Sequence, residues 1–344
     1  MNGAVPSLQI RVRQRGYSLV EVMVASTIGL IILGAVGGIY LNSGSTYRTQ
    51  EALARMQENA RYAMEVLGYD LRMAGQVGCS FDATKSVNVL NDVSYGDVLL
   101  VPIQAIAAGG TVPAPFTAVP TQGDAVRVFR AGDTEVLVQS HNAGTATFTV
   151  GSSDLEKDEI AVVTDCNTAA VFQLSNPASA GTTVEHLATG SPGNCTQNLG
   201  EKPLVAGACN TATSKTYAMG SKLYKVQGNL YYIADNPAGI PALYRQRLVK
   251  GTPVTEEIIE GVADMRVSFG LDTDGNKSVD STQSVGGVTD WTQVQSVQVS
   301  LLMQSDDNAI DKPTAYTYNG ATVTPADRRL RTVFNTTVAV RIRQ

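Results

Sequence analysis

From residue 271 to residue 280 the chain reads LDTDGNKSVD, which sets Asp272, Asp274, Asn276 and Asp280 at alternating positions, as oxygen ligands are set in Ca²⁺ loops. Oxygen donors at this spacing suit a hard divalent cation. The stretch departs from an EF-hand, because Lys277 stands where the sharp turn needs glycine and Gln283 where a bidentate glutamate would close the cage. The same residues also make a turn, Asp274-Gly275-Asn276, between two strands. Both readings stand at this stage, and a bound Ca²⁺ would stiffen the loop and its contact with a neighbouring subunit.

Other residue types that do chemistry are sparse. The four cysteines, Cys79, Cys166, Cys195 and Cys209, lie in no CxxC or Cys/His cluster, so disulfides in an oxidising compartment are the expected use. Three connectivities are possible. The Pro/Gly/Asn-rich stretch between Cys195 and Cys209 gains order from closure, by roughly 3 kcal/mol in the chain-entropy model, and that pairing leaves Cys79 with Cys166. His141 and His186 sit in no Ser/His/Asp, Cys/His or HExxH setting and read as surface histidines. The sequence contains no phosphate-binding GxxxxGK[ST] loop and no GxSxG elbow.

Arginines 328, 329, 331, 341 and 343 gather charge near the carboxyl end. A DNA-binding patch is one reading of them. Arginines flanking a last strand also guard a sheet edge, and a net charge of -5 makes the chain a poor general match for nucleic acid. Trp291 opens a strand and belongs to core or interface.

The elements that must position these residues begin with a membrane-length run. Residues 22–41 hold no charged side chain and match the ~20 residues that cross a bilayer core. A cleaved secretory signal would have a shorter apolar region and would not open with Glu21. Arg11, Arg13 and Arg15 precede the run and Arg48 is the next charge after it, so the basic flank should stay in the cytoplasm and the body should be exported. Glu21 is costly there: a carboxylate at mid-bilayer costs roughly 3 kcal/mol even on lenient insertion scales. A chain cut after Gly16 would place a new amine on Tyr17, four residues before Glu21, and a neighbouring copy could offer that cation to the carboxylate. Gly34 and Gly38 form a GxxxG spacing, which serves either close helix packing or local weakening of the helix.

The stretch from Arg15 to Glu21, RGYSLVE, followed by the apolar run resembles the class III signal of type IV prepilins and pseudopilins. The resemblance implies that a prepilin peptidase cuts after Gly16 on the cytoplasmic side, that Tyr17 is N-methylated, and that Glu21 serves assembly. Tyr17 departs from the commoner phenylalanine but keeps an aromatic ring.

From residue 50 to residue 74 apolar residues recur at steps of three and four (Leu53, Met56, Ala60, Ala63, Leu67, Leu71, Ala74), with charges on the other face. This spacing predicts an amphipathic continuation of the helix that packs on a sheet and stops at Gly75 and Gly78. After Cys79 the composition turns to Val, Thr, Gly and Asn. Short strands are expected at 124–130, 135–138, 160–164 and 171–174, with a hairpin of 230–233 and 243–248. Late strands carry Val297, Val299, Leu301 and Met303 on one face, and Phe334, Val338, Val340 and Ile342 on another. Residues 105–123 read as a long surface loop. The expected class is α+β, a long N-terminal helix on a mostly antiparallel sheet with large loop insertions. The organisation is a leader (1–16), a membrane or filament-core helix (17–41), an amphipathic helix (42–78) and an exported β-rich body (79–344).

The body resembles the large minor pilins of the PilW branch, through YAMEVLGYDLRMAGQVGC at 62–79, VVTDCNTAAVFQL at 162–174, LYYIADNPAGIPALYRQ at 230–246, VADMRVSFGLDTDGNKSVD at 262–280 and DRRLRTVFNTTVAVRIR at 327–343. The segment 181–215 has no counterpart in that resemblance. The resemblance implies a noncatalytic subunit, held first in the inner membrane and then in a pilus. Its implied partners are other minor pilins, the major pilin, a tip adhesin of the PilY type, the prepilin peptidase and the inner-membrane assembly platform. It also implies a priming role at the tip that supports motility or adhesion. A minor pseudopilin of type II secretion, and a membrane-anchored periplasmic enzyme or ligand-binding protein, are the alternatives.

Overall fold

The computed structural model describes residues 16–79, 85–91, 99, 101–176, 181–200 and 213–340. The chain falls into two compact units, Met1–Glu51 and Ala52–Gln344. One helix, α1 (Leu19–Met73), supplies segments to both.

In the first unit the helix carries its apolar side chains in the open, among them Leu30, Ile31, Leu33 and Ile39. An 18-residue window there has a mean hydropathy of 2.3, and none of it is buried within the chain. An all-round apolar helix of this kind needs a bilayer or other helices as solvent.

In the second unit the expected stripe forms. Met56, Ala60, Ala63, Leu67, Leu71 and Ala74 are each at most 3% exposed. Alanine at 60 and 63 lets sheet side chains approach the helix closely. The helix ends at Met73, and Gly75 at φ +70° and Gly78 at φ +82° take left-handed conformations that would strain a side chain.

Ten strands follow in one sheet: β1 (Val87–Asn88), β2 (Ile103–Ile106), β3 (Gln122–Asn142), β4 (Thr147–Val150), β5 (Ile160–Thr164), β6 (Ala169–Gln173), β7 (Thr183–Glu185), β8 (Lys222–Asp235), β9 (Pro241–Val249) and β10 (Thr252–Glu260). Their main path is β1-β6-β5-β8-β3-β4-β7; β2 pairs with β3, β9 with β8, and β10 with β9. Only β1–β6 is parallel among these pairs. A second sheet has the order β12-β11-β13-β16, from β11 (Val262–Leu271), β12 (Ser281–Ser284), β13 (Val294–Asn308) and β16 (Arg329–Ala339). A small hairpin, β14 (Tyr316–Tyr318) with β15 (Ala321–Val323), completes the described strands. The architecture is α+β, with the body divided between two sheets.

The stripe of α1 meets both sheets in one core, where Leu67 and Leu71 join Val126, Tyr231, Met265, Phe269, Val297, Leu301 and Val338. The start of β3 lies hard against β11: a Cβ on Gly123 would stand 2.6 Å from the Met265 carbonyl oxygen, so no side chain fits. Asp124 then ties the segments together, accepting hydrogen bonds from the N–H groups of Ala108 and Val267.

Buried polar groups fix the helix to the large sheet. Asp70, 2% exposed, receives Arg130 Nε at 2.9 Å, Tyr231 Oη at 2.7 Å and the Asn229 amide. Arg130 reaches Asp133 at 2.9 Å, and Tyr69 donates to the same carboxylate. Burial lowers the arginine's pKa, but Asp70 and Asp133 outweigh it and raise the value. Removing Asp70 strands the Tyr231 and Asn229 donors and leaves the buried Arg130 only the exposed Asp133, and breaking a buried pair of this kind costs about 3–5 kcal/mol. Asp70→Ala should therefore lower the urea-unfolding free energy of the full chain in detergent by about that much. Glu65→Ala, on the exposed face of the same helix, should stay within about 0.5 kcal/mol of the parent.

Candidate functional site

Gly16, Tyr17 and Ser18 precede α1, and Tyr17 is 81% exposed. The first helical hydrogen bond of this end runs from Val22 N to Ser18 O at 3.2 Å. Glu21 lies in the first turn, where the helix dipole favours an anion by about 0.3–1 kcal/mol. Its carboxylate is exposed and has no partner among the described residues. The hydroxyls inside the apolar run are satisfied within the helix: Ser26 donates to Val22 O at 2.6 Å and Thr27 to Met23 O at 2.8 Å. Along this run Glu21 is therefore a polar group whose compensation must come from elsewhere.

The acidic loop 272–280 closes a hairpin between β11 and β12, with Leu271 opposite Ser281. Asp272 accepts hydrogen bonds from the N–H groups of Gly275 (2.7 Å), Asn276 (3.2 Å) and Lys277 (2.8 Å). Asp274 caps Asn276, and Asp280 receives the Thr273 N–H and hydroxyl. Burial pushes the Asp272 carboxyl up, yet the three N–H donors outweigh it and hold the pKa below its usual value. Carboxylate oxygens of Asp272, Asp274 and Asp280 lie within 4.8 Å of one another. The loop's own hydrogen bonds thus occupy much of the oxygen capacity that a cation would use.

Cys79 and Cys166 form a disulfide with Cα atoms 5.4 Å apart, joining the segment after α1 to the β5–β6 turn. Cys195 is not free, and its expected partner Cys209 lies outside the described residues. Arg341 and Arg343 lie outside them too. Trp291 sits in a short turn before β13 and not in the strand, edge-on to Phe269 at 4.9 Å.

The histidines require a correction, since both are buried and neither is a surface residue. His141 and His186 are 8% and 0% exposed, and their Nε2 atoms lie 3.0 Å apart. Tyr217 N–H donates to His141 Nδ1, so His141 carries its proton on Nε2 and gives it to His186. His186 then carries its own proton on Nδ1, a buried atom without a hydrogen-bond partner among the described residues. Phe148 stacks on His141 at 4.0 Å, and Phe172 lies 5.4 Å from His186. The ring centroids are 5.2 Å apart, which sets the nitrogens head to head in a hydrogen bond and not converging on a third point.

The signal that sequence reading lacked is a bulge. Val138 pairs with Val150 but Ser140 with Thr149, and this slip turns His141 inward where simple alternation from Val136 and Val138 would turn it out.

Residues 230–341 match the family described as type IV pilus-assembly protein W, and residues 11–37 match the prokaryotic N-terminal methylation motif. The first match runs from within β8 through β16. A solved type IV-like pilin from Thermus thermophilus is similar over 83% of this chain and 95% of its own length, at 12% identity and a TM-score of 0.33. No curated protein matches the chain.

Two predictions follow from the loop and the histidines. The thermal midpoint of the full chain should be the same in EDTA and in millimolar Ca²⁺; a rise of several degrees with Ca²⁺ that Asp272→Ala abolishes would give the loop to a cation. For the histidines, burial lowers the pKa of His141 to about 4, while burial and then the charge of His141 lower that of His186 to about 3. Both folded values lie below the unfolded value near 6.5. Their contribution to stability is complete above that pH and is lost as pH falls from it toward the folded values. Each histidine contributes a slope of up to about 1.4 kcal/mol per pH unit. Urea titrations between pH 6.5 and 5 should show the summed slope, and His186→Leu should roughly halve it.

Proposed function

The chain is a PilW-like type IV pilin, and from that premise we propose that it is a minor, noncatalytic subunit that joins other minor pilins in a complex priming pilus assembly from the tip. In this reading the prepilin peptidase cuts after Gly16 and Tyr17 is N-methylated. The inner membrane stores the apolar part of α1, with the body outside the cytoplasm. The assembly platform then moves the chain into contact with the major pilin and a tip adhesin of the PilY type, in support of motility or adhesion.

The observation that carries this reading is Glu21, a carboxylate at the head of an exposed apolar helix with no partner among the described residues of its own chain. In this reading a neighbouring copy neutralises it, because the amine made by cutting at Gly16 is a cation of the right kind in the right place. The PilW match favours a pilus over a secretion pseudopilus. Retained hydroxyls at Ser26 and Thr27, bonded back into the helix, suit a segment that lives in lipid before it lives in a filament.

Amino-terminal sequencing of the mature chain should begin at Tyr17. Glu21→Ala should leave that start unchanged while at least roughly tenfold less of it co-purifies with partner minor pilins, the equivalent of about 1.4 kcal/mol. Equal recovery of variant and parent would remove the assembly role.

A further inference from the structure

β16 is a sheet edge of unusual kind within this fold. The large sheet ends on short strands, two residues in β1 and three in β7. Its long outer strand β10 is blunted by Pro253, by a register shift between Glu257 and Ile259, and by Glu256, Glu257 and Glu260. On the second sheet β12 has four residues, whereas β16 has eleven. From Arg331 to Ala339 its pairing with β13 is continuous, and this stretch holds no proline, lysine or acidic residue.

The direction of its free groups follows from one hydrogen bond. Val340 N donates to Gln295 O, and the antiparallel register continues through Val338 opposite Val297 and Phe334 opposite Leu301. Hydrogen-bonded pairs alternate along such a ladder, so the even-numbered residues face β13. The N–H and C=O groups of Arg331, Val333, Asn335, Thr337 and Ala339 point away from it, and none has a partner among the described residues. On the core side Leu330 and Phe334 are only half-buried, packed against the core that holds α1, which leaves apolar surface for an added strand to cover.

Charge selects the occupant. The described residues 328–340 hold Arg328, Arg329 and Arg331 and no Asp or Glu, in a chain whose net charge is -5. Of the three described arginines here, Arg331 is the one in an ion pair, with Asp327 at 2.6 Å.

We propose that β16 receives an extended acidic strand of a partner protein, which pairs antiparallel or parallel along its outer edge, covers Leu330 and Phe334, and meets Arg328 and Arg329 with its own carboxylates. Main-chain hydrogen bonds supply the attachment and the charge supplies the choice of partner. The inference rests on strand geometry and not on the pilus reading, so either can fail alone.

The test is amide hydrogen exchange at single-residue resolution on the full chain in detergent. In the free chain the amides of Val333, Asn335, Thr337 and Ala339 should exchange fast and those of Thr332, Phe334, Thr336 and Val338 slowly. A synthetic strand peptide of alternating valine and threonine with glutamates at both ends should slow the odd set by roughly tenfold or more. The same peptide with lysine for glutamate should not. Asn335→Pro removes one outward donor and should reduce the peptide's effect while the even set stays slow. Four results would each overturn the proposal: an odd set already slow in the free chain, protection that grows with the chain's own concentration, equal protection by both peptides, or loss of the even set in Asn335→Pro.

Discussion

A carboxylate in an apolar setting must be neutralised or supplied with donors, and α1 carries two that meet this constraint in opposite ways. Asp70 finds Arg130, Tyr231 and Asn229 inside the body, and so its charge orients the helix on the sheet. Glu21 finds nothing comparable among the described residues of its own chain. The first carboxylate serves the fold because its compensation is intramolecular. The second stays exposed and without a partner among the described residues. The apolar stripe from Met56 to Ala74 would bury equally well at slightly different rotations of the helix; a fully desolvated ion pair with three directional donors is far less tolerant of such sliding.

What the sequence makes legible is what its periodicity encodes locally. Steps of three and four mark the buried stripe of α1, with Leu53 half-buried at its start. The Asn236-Pro237-Ala238-Gly239 turn marks the β8–β9 hairpin, where Asn236 holds the loop by accepting from Ala238 and Ile240. The alternation in 297–303 marks the buried face of β13. Legibility fails where geometry depends on a partner strand. Gly132, Asp133 and Thr134 read as a break, yet β3 runs through them as one strand, because β8 stays paired on both sides of a slip between Ala131 and Glu135. The antiparallel sheet expected beneath the helix is divided into a ten-stranded and a four-stranded sheet with a small separate hairpin, since nothing local says that Gly123 must abut Met265. Residues 105–123 do form a largely irregular segment, but Ile106 ends a strand and Phe116 is buried, with Gln246 Oε1 accepting from the N–H groups of Thr117 and Ala118.

The histidine pair shows the cost of that blindness most directly. A bulge in β3 inverts the facing of one residue, and a residue type that belongs at the surface becomes part of an aromatic core. The arrangement is stable only while both rings are neutral. A proton added to His186 would set two N–H donors head to head at 3.0 Å between Phe148 and Phe172, in a buried site that disfavours the charge.

Polar satisfaction separates what holds the body together from what the body offers to others. Asp124, Asp70 and Asp272 each accept from donors of the same chain; the first two lock segments distant in sequence, and Asp272 holds its own turn. His186 Nδ1, buried among rings, has no partner among the described residues, and an unsatisfied group of this kind costs about 1–3 kcal/mol that packing must offset. The Glu21 carboxylate and the outer edge of β16 differ from it in one respect, which is that both are accessible. An unsatisfied group that is sealed away weakens a protein, whereas one held open on a rigid element lowers the free energy of whatever molecule arrives to satisfy it.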